Sequence, residues 1–392
     1  MIEVWVAFIA FILLLLALDL GLFHRKAHVV APKEALGWVG VWVGLGVAFT
    51  LFIYFAYERQ WFGLGTSPDP VDGAMNDGGD AALKYLTGYL VEESLSVDNI
   101  FAIAMILRFL AVPAIYQHRV LFWGIVGALV MRGCMIGVGA TLVARFHWVL
   151  YLFGLFLVFT GIKMLLVKGT HGDVGRGVVQ RVARRLLPVT DRFHGQHFLV
   201  RAGSPESRAG EVPGSAPAPD EAAESARPGA LMMTPLALAL VLVETTDLVF
   251  AVDSIPAIFA ITADPFLVFT SNVFAILGLR SLYFALAGIM DKFRYLKTAL
   301  SLVLVVVGAK MLAAEWLKAW LGEHFNLGLL GIVLLILAVG VVASLRPGAA
   351  PQPARPADAQ GSPETHSAPR GTGASGAKAH SARRKRSTTS TR

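Results

Sequence analysis

The sequence predicts an all-α, polytopic membrane helix bundle of about nine spans that contains an inverted-topology repeat of three helices. Hydrophobic residues make up 55% of the 392 residues and charged residues only 16%, whereas charged residues usually make up roughly 25% of a soluble domain. A helix needs roughly 20 apolar residues to cross the hydrocarbon core of a bilayer. Runs of this kind lie near residues 4–23, 37–57, 81–111, 119–145, 148–168, 231–261, 264–290, 295–318 and 327–345.

The charges beside these spans predict which side of the membrane each loop occupies. Lys and Arg collect in the connections after spans one, three, five and seven, while the connection after span two is acidic. Short loops rich in Lys and Arg stay in the cytoplasm. We therefore expect the N terminus outside the membrane and the C terminus in the cytoplasm.

The spans and two stretches of low hydrophobicity divide the chain into six segments. Pro, Ala, Gly and Ser are frequent in both stretches, which cannot bury a core and are expected to be largely disordered. In order, the segments are residues 1–80 with two spans and an acidic external loop, 81–168 as the first three-helix repeat, 169–230 as a cytoplasmic loop, 231–318 as the second, inverted repeat, 319–345 as the last span and 346–392 as a basic tail. The tail accounts for the net charge of +7, so this charge gives no reason to expect a nucleic-acid partner.

An internal repeat relates residues 91–168 to residues 243–318. Four polar landmarks keep their order and approximate spacing in both copies: Glu92 and Asp247, Asp98 and Asp253, Arg132 and Arg280, Lys163 and Lys310. Because each copy holds three spans, the second copy must cross the membrane in the opposite sense. Inverted repeats of this kind place ligand sites between the two copies, near the midplane of the bilayer.

Six carboxylates lie deep inside predicted spans three and six. They are Glu92, Glu93, Asp98, Glu244, Asp247 and Asp253. An acidic residue that faces lipid at a helix centre costs roughly 2.5 to 3.5 kcal/mol, so these side chains must face protein, water or an ion. The two Arg and two Lys of the repeat could pair with some of them, but four cations leave two of the six acids over. We therefore favour a cation site over purely structural ion pairs.

The donor atoms in these spans indicate which ion would bind. Carboxylates together with the amide of Asn99 and the hydroxyl of Ser254 offer the oxygen ligands of hard cations such as Mn²⁺, Mg²⁺ or Ca²⁺. Pro256 removes one backbone hydrogen-bond donor from span six, so we expect an interrupted helix there that exposes carbonyl groups. Asp19, at the end of span one, is a further candidate ligand, although pairing with the bases that follow it is favoured slightly over metal contact.

The sequence gives no support for an enzyme. A nucleophile with an adjacent base and a glycine motif that cradles phosphate are both missing. The single cysteine, Cys134, excludes a disulfide framework within the chain. No permanently bound cofactor is expected, and the bilayer and a divalent metal ion are the predicted partners.

Several long motifs resemble the TerC family of membrane proteins, and the resemblance extends over residues 1 to about 345. The motifs are Ala17-Leu18-Asp19-Leu20-Gly21, Val91-Glu92-Glu93-Ser94-Leu95-Ser96-Val97-Asp98-Asn99, Glu244-Thr245-Thr246-Asp247-Leu248-Val249-Phe250-Ala251-Val252-Asp253-Ser254-Ile255-Pro256-Ala257 and Thr270-Ser271-Asn272. This resemblance implies a bacterial inner-membrane protein. It also implies that the acidic residues handle metal, since members of the family are linked to manganese efflux and the family name comes from tellurium resistance.

Our first hypothesis is a Mn²⁺ exporter, with proton entry expected to displace the metal. Asp98 and Asp253 would bind the ion between the two repeats, and the other candidate ligands are Glu92, Glu93, Asn99, Glu244, Asp247 and Ser254. The alternative hypothesis is a membrane-embedded stress or assembly factor of the tellurium-resistance type. Such a factor would supply metal to, or chaperone, other membrane and exported proteins.

Overall fold

Nine α-helices make up most of the described part of the chain. The computed structural model describes residues 2–18, 32–166, 189–190, 192–202, 229–286, 295–314, 316 and 325–345. The helices are α1 (Ile2–Leu18), α2 (Pro32–Glu58), α3 (Gly78–Phe109), α4 (Ala114–Arg145), α5 (Trp148–Leu166), α6 (Pro235–Phe259), α7 (Pro265–Leu286), α8 (Leu296–Leu312) and α9 (Phe325–Leu345). A 3-10 helix (Trp61–Gly63) follows α2, and the strands β1 (Leu199–Arg201) and β2 (Leu231–Met233) form an antiparallel pair. Each helix overlaps one predicted span, which confirms the all-α membrane class.

Six of these helices are long and apolar enough to cross a membrane, namely α2, α4, α5, α6, α7 and α9. The helices α1 and α8 have 17 residues each. The helix α3 has 32 residues, and Glu92, Glu93 and Asp98 interrupt its apolar sequence. The helix that carries three of the six acidic residues predicted within spans three and six is therefore not among those selected by length and mean hydropathy.

Helices of the first predicted repeat pack mainly against helices of the second. The helix α3 contacts α6 and α7, α4 contacts α6 and α7, and α5 contacts α8. Glycines bring α5 and α8 close together, because a Cβ atom on Gly308 would lie 2.8 Å from the carbonyl oxygen of Gly154. This arrangement places the acidic segments of α3 and α6 against each other.

The two ends of the bundle are held by different polar contacts. At one end, the loop between α2 and α3 meets the turn between α6 and α7, where Asp69 accepts a hydrogen bond of 2.5 Å from the Thr262 hydroxyl. At the opposite end of α3, Arg119 at the start of α4 lies 3.2 Å from Gln196, in the segment before β1. We call these the Asp69 end and the Arg119 end. The helix α3 therefore runs from the Asp69 end to the Arg119 end, and α6 ends where α3 begins.

The start of α6 differs from the prediction. Residues 231–233 form β2, with Leu199 opposite Met233, so part of the predicted 169–230 loop folds together with them as a small sheet. The helix begins at Pro235, and the Thr234 side chain accepts a hydrogen bond of 3.3 Å from the backbone N–H of Ala237. A Thr at the N-cap followed by Pro at the first helical position is a strong helix start, and it moves the boundary four residues beyond position 231.

The expected interruption at Pro256 was wrong, because α6 continues through it to Phe259. Proline removes the hydrogen bond from its own nitrogen to the carbonyl four residues earlier. Pro256 lies in the last turn of α6, so little helix remains beyond it to be disturbed. The predicted tail 346–392, most of the 169–230 loop and Asp19 lie outside the described residues.

Candidate cation site

Arg132 on α4 lies at the centre of a buried group of acidic and polar side chains. Its side chain is 2% exposed and forms ion pairs with Glu92 on α3 and Asp247 on α6. The Nη2 atom lies 3.1 Å from Asp247 Oδ1. The Nη1 atom bonds to Glu92, and it lies 3.2 Å from Ser254 Oγ and 3.1 Å from Asn272 Oδ1 on α7. Four helices therefore contribute to one polar contact network.

This network lies halfway along the two acidic helices. Asp247 is residue 13 of the 25 in α6, and Glu92 is residue 15 of the 32 in α3. The amide nitrogen of Asn99 lies 3.4 Å from Asp247 Oδ1 and joins the two helices directly. Side chains of both predicted repeats thus meet at mid-length, at residues that the sequence had singled out.

Ser96 is a buried hydroxyl of this region without a hydrogen-bond partner. It is 1% exposed, and its Oγ atom bonds to no other atom of the described chain. Ser94, two residues earlier, donates a hydrogen bond of 2.5 Å to the Leu90 carbonyl oxygen, which is the usual solution for Ser and Thr in a helix. Ser96 stands between Glu92 and Asn99 on the same face of α3, because residues three and four apart are neighbours on a helix. We call Arg132, Glu92, Ser96, Asn99, Asp247, Ser254 and Asn272 the Arg132 cluster.

Asp98 and Asp253 lie outside the Arg132 cluster. Asp253 accepts a hydrogen bond from Thr160 on α5, and Lys163 and Asp98 are close enough to influence it electrostatically. Both carboxylates are half-buried. The sequence predicts these two as the central ligands, whereas the structure brings together Glu92 and Asp247 with Asn99 and Ser254. The physical reason is helix geometry: six residues correspond to 600° at 100° each, so Asp98 and Asp253 lie about 120° around their helices from Glu92 and Asp247.

Glu93 and Glu244 each bury one carboxylate oxygen that has no hydrogen-bond partner in the described chain. Glu244 packs against α4 at Gly127, where the absence of a side chain leaves room for the carboxylate. Glu93 points toward Gly278 on α7, where an added Cβ atom would lie 3.9 Å from its Oε1 atom. The carboxylates of Glu93 and Glu244 thus lie against glycines of α7 and α4, and each has one buried oxygen atom that forms no hydrogen bond within the described chain.

The cations of the repeat are placed unequally. Arg132 contacts two of the predicted acidic ligands, while Arg280 Nη1 lies 3.2 Å from His118 Nε2 near the Arg119 end. Lys310 donates a hydrogen bond of 2.6 Å to the Ala260 carbonyl oxygen near the Asp69 end. Two copies of one sequence pattern therefore hold their arginines in different surroundings.

Within the residues described, no group of three or more His, Cys, Asp or Glu side chains is arranged to hold a metal ion. The guanidinium of Arg132 lies between Glu92 and Asp247 and pairs with both. Asp19, the ninth predicted ligand, lies outside the described residues. The structure thus assembles oxygen ligands of the predicted kind around an arginine.

Sequence reasoning missed three members of the Arg132 cluster. Arg132 was considered only as a counter-charge, Asn272 only as part of a motif, and Ser96 was not among the candidate ligands. A usable signal existed for Asn272, because an amide in the interior of an apolar span must find a polar partner. The lack of a partner for Ser96 is visible only in three dimensions.

The Asp69 end holds a second buried charge network. Lys84 Nζ lies 3.0 Å from Asp69 Oδ2 and 2.7 Å from Asp72 Oδ2. The Asp69 carboxylate also accepts the Thr262 hydroxyl and, at 3.0 Å, the backbone N–H of Ala263. These bonds connect the first turns of α3 to the turn between α6 and α7.

The two loop carboxylates at this end have opposite pKa shifts. Burial raises the pKa of Asp69, but the Lys84 ammonium, the Thr262 hydroxyl and two backbone N–H groups outweigh it and hold the pKa below its usual 3.8. Burial raises the pKa of Asp264 above 3.8, despite two hydrogen bonds from the backbone N–H groups of Phe266 and Leu267. A cavity of about 440 Å³ opens beside both carboxylates, so the network borders a space that small molecules could enter.

Comparison with known proteins identifies one family and several similar membrane proteins. The model of the integral membrane protein TerC family matches residues 77–348. A Myxococcus xanthus protein named "Uncharacterized membrane protein STKORF319" is 45% identical over 341 residues, which cover 87% of this chain and 91% of that protein. The Escherichia coli K12 protein named "Putative membrane-bound redox modulator Alx" is 42% identical over 313 residues, 80% of this chain and 86% of its own length. No solved structure matches the chain.

Proposed function

This chain belongs to the TerC family of integral membrane proteins, and from that premise we propose that it transports a divalent metal cation, with Mn²⁺ as the leading substrate. The cation path would follow the acidic residues between α3 and α6. The proposed direction is export across a bacterial inner membrane, with the N terminus outside and the C terminus in the cytoplasm. Basic loops after the odd-numbered spans support this orientation.

The observation that carries the proposal is the meeting of Glu92 and Asp247 at mid-length around Arg132. Two carboxylates against one guanidinium leave one negative charge in a buried place. Buried charge without compensation is costly, and intramembrane acids are typical of ion pathways. Glu93 and Glu244 nearby add carboxylate oxygens without hydrogen-bond partners in the described chain. A cation that passes through this region would supply the missing positive charge.

Asp98 and Asp253 form the second part of the proposed path. Asp253 is half-buried beside Thr160 and Lys163, and Asp98 is within electrostatic range of it. We propose that these two acids receive the ion before or after it passes the Arg132 cluster, and that a proton replaces it there. The pairing of α3 with α7, α4 with α6 and α5 with α8 supports an inverted repeat whose halves rock against each other.

Flux through the purified full-length chain in proteoliposomes tests this function. The variants are Asp98→Asn, Asp253→Asn and Asp247→Asn, with Mn²⁺, Ca²⁺ and Mg²⁺ compared as substrates. Loss of groups that only support metal ligands typically costs 10–100-fold, so each variant should reduce flux by about tenfold or more. Asp77→Asn is the matched control, because Asp77 is exposed at the N-cap of α3 and Asn caps helices equally well. Full metal flux in all three acid variants would refute the proposed path.

A second candidate function is suggested by the name of the Escherichia coli relative, a membrane-bound redox modulator. In this function the chain would act on other membrane or exported proteins, as the assembly-factor hypothesis also requires. Cys134 on α4 is an exposed thiol and the only cysteine of the sequence. Thiol–disulfide exchange through it would need a disulfide of another molecule, which the Cys134 thiolate attacks to form a mixed disulfide while the other sulfur leaves as a thiolate.

The Cys134→Ala variant separates the two functions. A carrier that uses the acidic path should keep its Mn²⁺ flux when this thiol is removed. Redox modulation through the thiol should disappear, measured as the thiol-to-disulfide ratio of exported proteins in cells that carry the variant. A variant that loses the redox effect while purified protein shows no flux would favour the second function.

A further inference from the structure

We propose that Arg132 is an internal counter-cation that occupies the metal's place and must be displaced before a divalent cation can bind. This inference rests on the proposed transport function and specifies how its site is regulated. In the resting state the guanidinium neutralises part of the acidic charge. The arriving metal and the arginine then compete for the same oxygen atoms.

The partners of Arg132 are the kinds of ligand that a hard divalent cation prefers. They comprise the carboxylates of Glu92 and Asp247, the hydroxyl of Ser254 and the amide oxygen of Asn272. Such oxygen ligands suit Mg²⁺, Mn²⁺ and Ca²⁺. Both carboxylate oxygens of Asp247 face the guanidinium, at 3.1 Å from Nη2 and 3.4 Å from Nε. A metal ion held by these atoms would therefore have to take them from Arg132.

The charges of Glu92, Asp247 and Arg132 also indicate that the metal ion and the guanidinium cannot bind at the same time. Glu92, Asp247 and Arg132 together carry one net negative charge, which attracts a cation. A divalent ion in place of the guanidinium would bring the two carboxylates to neutrality, whereas an ion beside it would leave an excess positive charge. Like charges within a few ångströms repel strongly where water is excluded. One cation or the other occupies the pair, but not both.

Ser96 provides an independent observation beside this pair. Its hydroxyl is 1% exposed and bonds to no atom in the described chain. A buried hydroxyl without a partner is costly, and Ser96 lies on α3 between Glu92 and Asn99, which both belong to the cluster. A hard cation that enters as Arg132 withdraws would give this oxygen a partner.

The second repeat shows that an arginine at the equivalent position can be held elsewhere. Arg280 is 3% exposed and lies 3.2 Å from His118 Nε2, near the Arg119 end of the bundle. Arg132, in contrast, contacts Glu92 and Asp247. The two arginines of the predicted repeat therefore lie in different surroundings.

Equilibrium Mn²⁺ binding and Mn²⁺ flux test this inference on the purified full-length chain. Free Mn²⁺ is measured by the intensity of its electron paramagnetic resonance signal, and flux is measured in proteoliposomes. Arg132→Ala should bind Mn²⁺ on the order of tenfold more tightly, since coupling between competing sites commonly has this size, while its flux should fall because no cation expels the metal. Arg132→Lys keeps a competing charge and should bind Mn²⁺ more weakly than Arg132→Ala does.

Arg145→Ala is the matched control, because Arg145 is exposed at the end of the same helix. This variant should match the unaltered protein in both measurements.

If Arg132→Ala does not fold, Arg132→Gln provides the same test, since it removes the charge but keeps a side chain that can bond to Ser254 and Asn272. Equal or weaker Mn²⁺ binding by both neutral variants, alongside clear binding by the unaltered protein, would overturn the inference and leave the transport function standing. Absence of Mn²⁺ binding and flux in the unaltered protein would overturn the proposed function and the inference with it.

Discussion

Lys84 and Asp69 form an ion pair of 3.0 Å in which both side chains are completely buried. Lys84 lies in the second turn of α3, and Asp69 belongs to the preceding loop and also bonds to the turn between α6 and α7. The pair therefore connects the two predicted repeats at one end of the bundle. Removing one partner of a buried ion pair leaves an uncompensated charge, which is why this connection can be tested by single substitutions.

We expect Asp69→Asn to lower the free energy of unfolding by roughly 2 to 4 kcal/mol, slightly less than the usual cost because Asp72 still pairs with Lys84. Asp72→Asn is the matched control. The Asp72 side chain is 25% exposed, and partly solvated ion pairs contribute about 1 kcal/mol or less. Thermal unfolding of both variants in detergent measures the difference, and equal melting temperatures would contradict a special role for Asp69.

The same carboxylate predicts a pH dependence. Because the pKa of Asp69 is lower in the folded chain than its usual 3.8, its contribution to stability is complete above 3.8 and is lost as the pH falls through the folded pKa. The raised pKa of Asp264 acts with the opposite sign, but burial, its largest cause, is present in both proteins, and the Asp69 charge is the smallest of its causes. The stability difference between the unaltered protein and Asp69→Asn should therefore be largest at neutral pH and shrink below pH 3.8. A difference that grows in acid would contradict this assignment.

Ser96→Ala should separate stability from function. Removing a buried hydroxyl that has no partner should raise the free energy of unfolding by roughly 1 kcal/mol, while removing a proposed metal ligand should reduce Mn²⁺ flux. Ser94→Ala is the control, since the Ser94 hydroxyl bonds to the Leu90 carbonyl oxygen and has no proposed contact with metal. Thermal unfolding and proteoliposome flux provide both readouts. Unchanged flux in Ser96→Ala would remove Ser96 from the proposed site.

Gly127→Ala should disturb the position of Glu244. A Cβ atom at this position would collide with the Glu244 carboxylate. This carboxylate is the end of a flexible side chain, so it should move, and the cost should stay near the lower end of the roughly 1 to 3 kcal/mol that overpacking typically has. Gly137→Ala on the same helix meets nothing within 4 Å and should be neutral or stabilising by up to about 1 kcal/mol, because Ala favours helix more than Gly. Thermal unfolding compares the two variants. Equal tolerance at both positions would show that Glu244 has room to move.

The opposite placement of the two bundle ends can be checked by cysteine labelling in intact cells. In a Cys134→Ala background, Thr66→Cys lies at the Asp69 end and His197→Cys at the Arg119 end, and both original side chains are exposed. An impermeant maleimide should label Thr66→Cys only from outside and His197→Cys only after the membrane is opened. Labelling of both positions from the same side would contradict the antiparallel crossing, and a reversed pattern would invert the proposed orientation.

Much of the fold could be predicted because hydrophobicity is a local property of the chain. Each of the nine apolar runs forms a helix, since a segment that lies in lipid must satisfy its own backbone hydrogen bonds. The errors arose where local signals compete. Pro256 predicted an interruption but lies in the last turn of α6, and residues 231–233 form a strand because a partner strand at 199–201 is available.

The spacing of charges within apolar spans was enough to predict that six acids face something other than lipid, and four of the predicted ligands, Glu92, Asn99, Asp247 and Ser254, lie in one contact network. The arrangement of that network depends on the packing of the helices. The 100° step of continuous helices turns Asp98 and Asp253 away from the other acids, and the packing of α4 against α6 brings Arg132 between Glu92 and Asp247. Side-chain direction and helix packing depend on contacts between distant parts of the chain, which the spacing of residues along one helix does not contain.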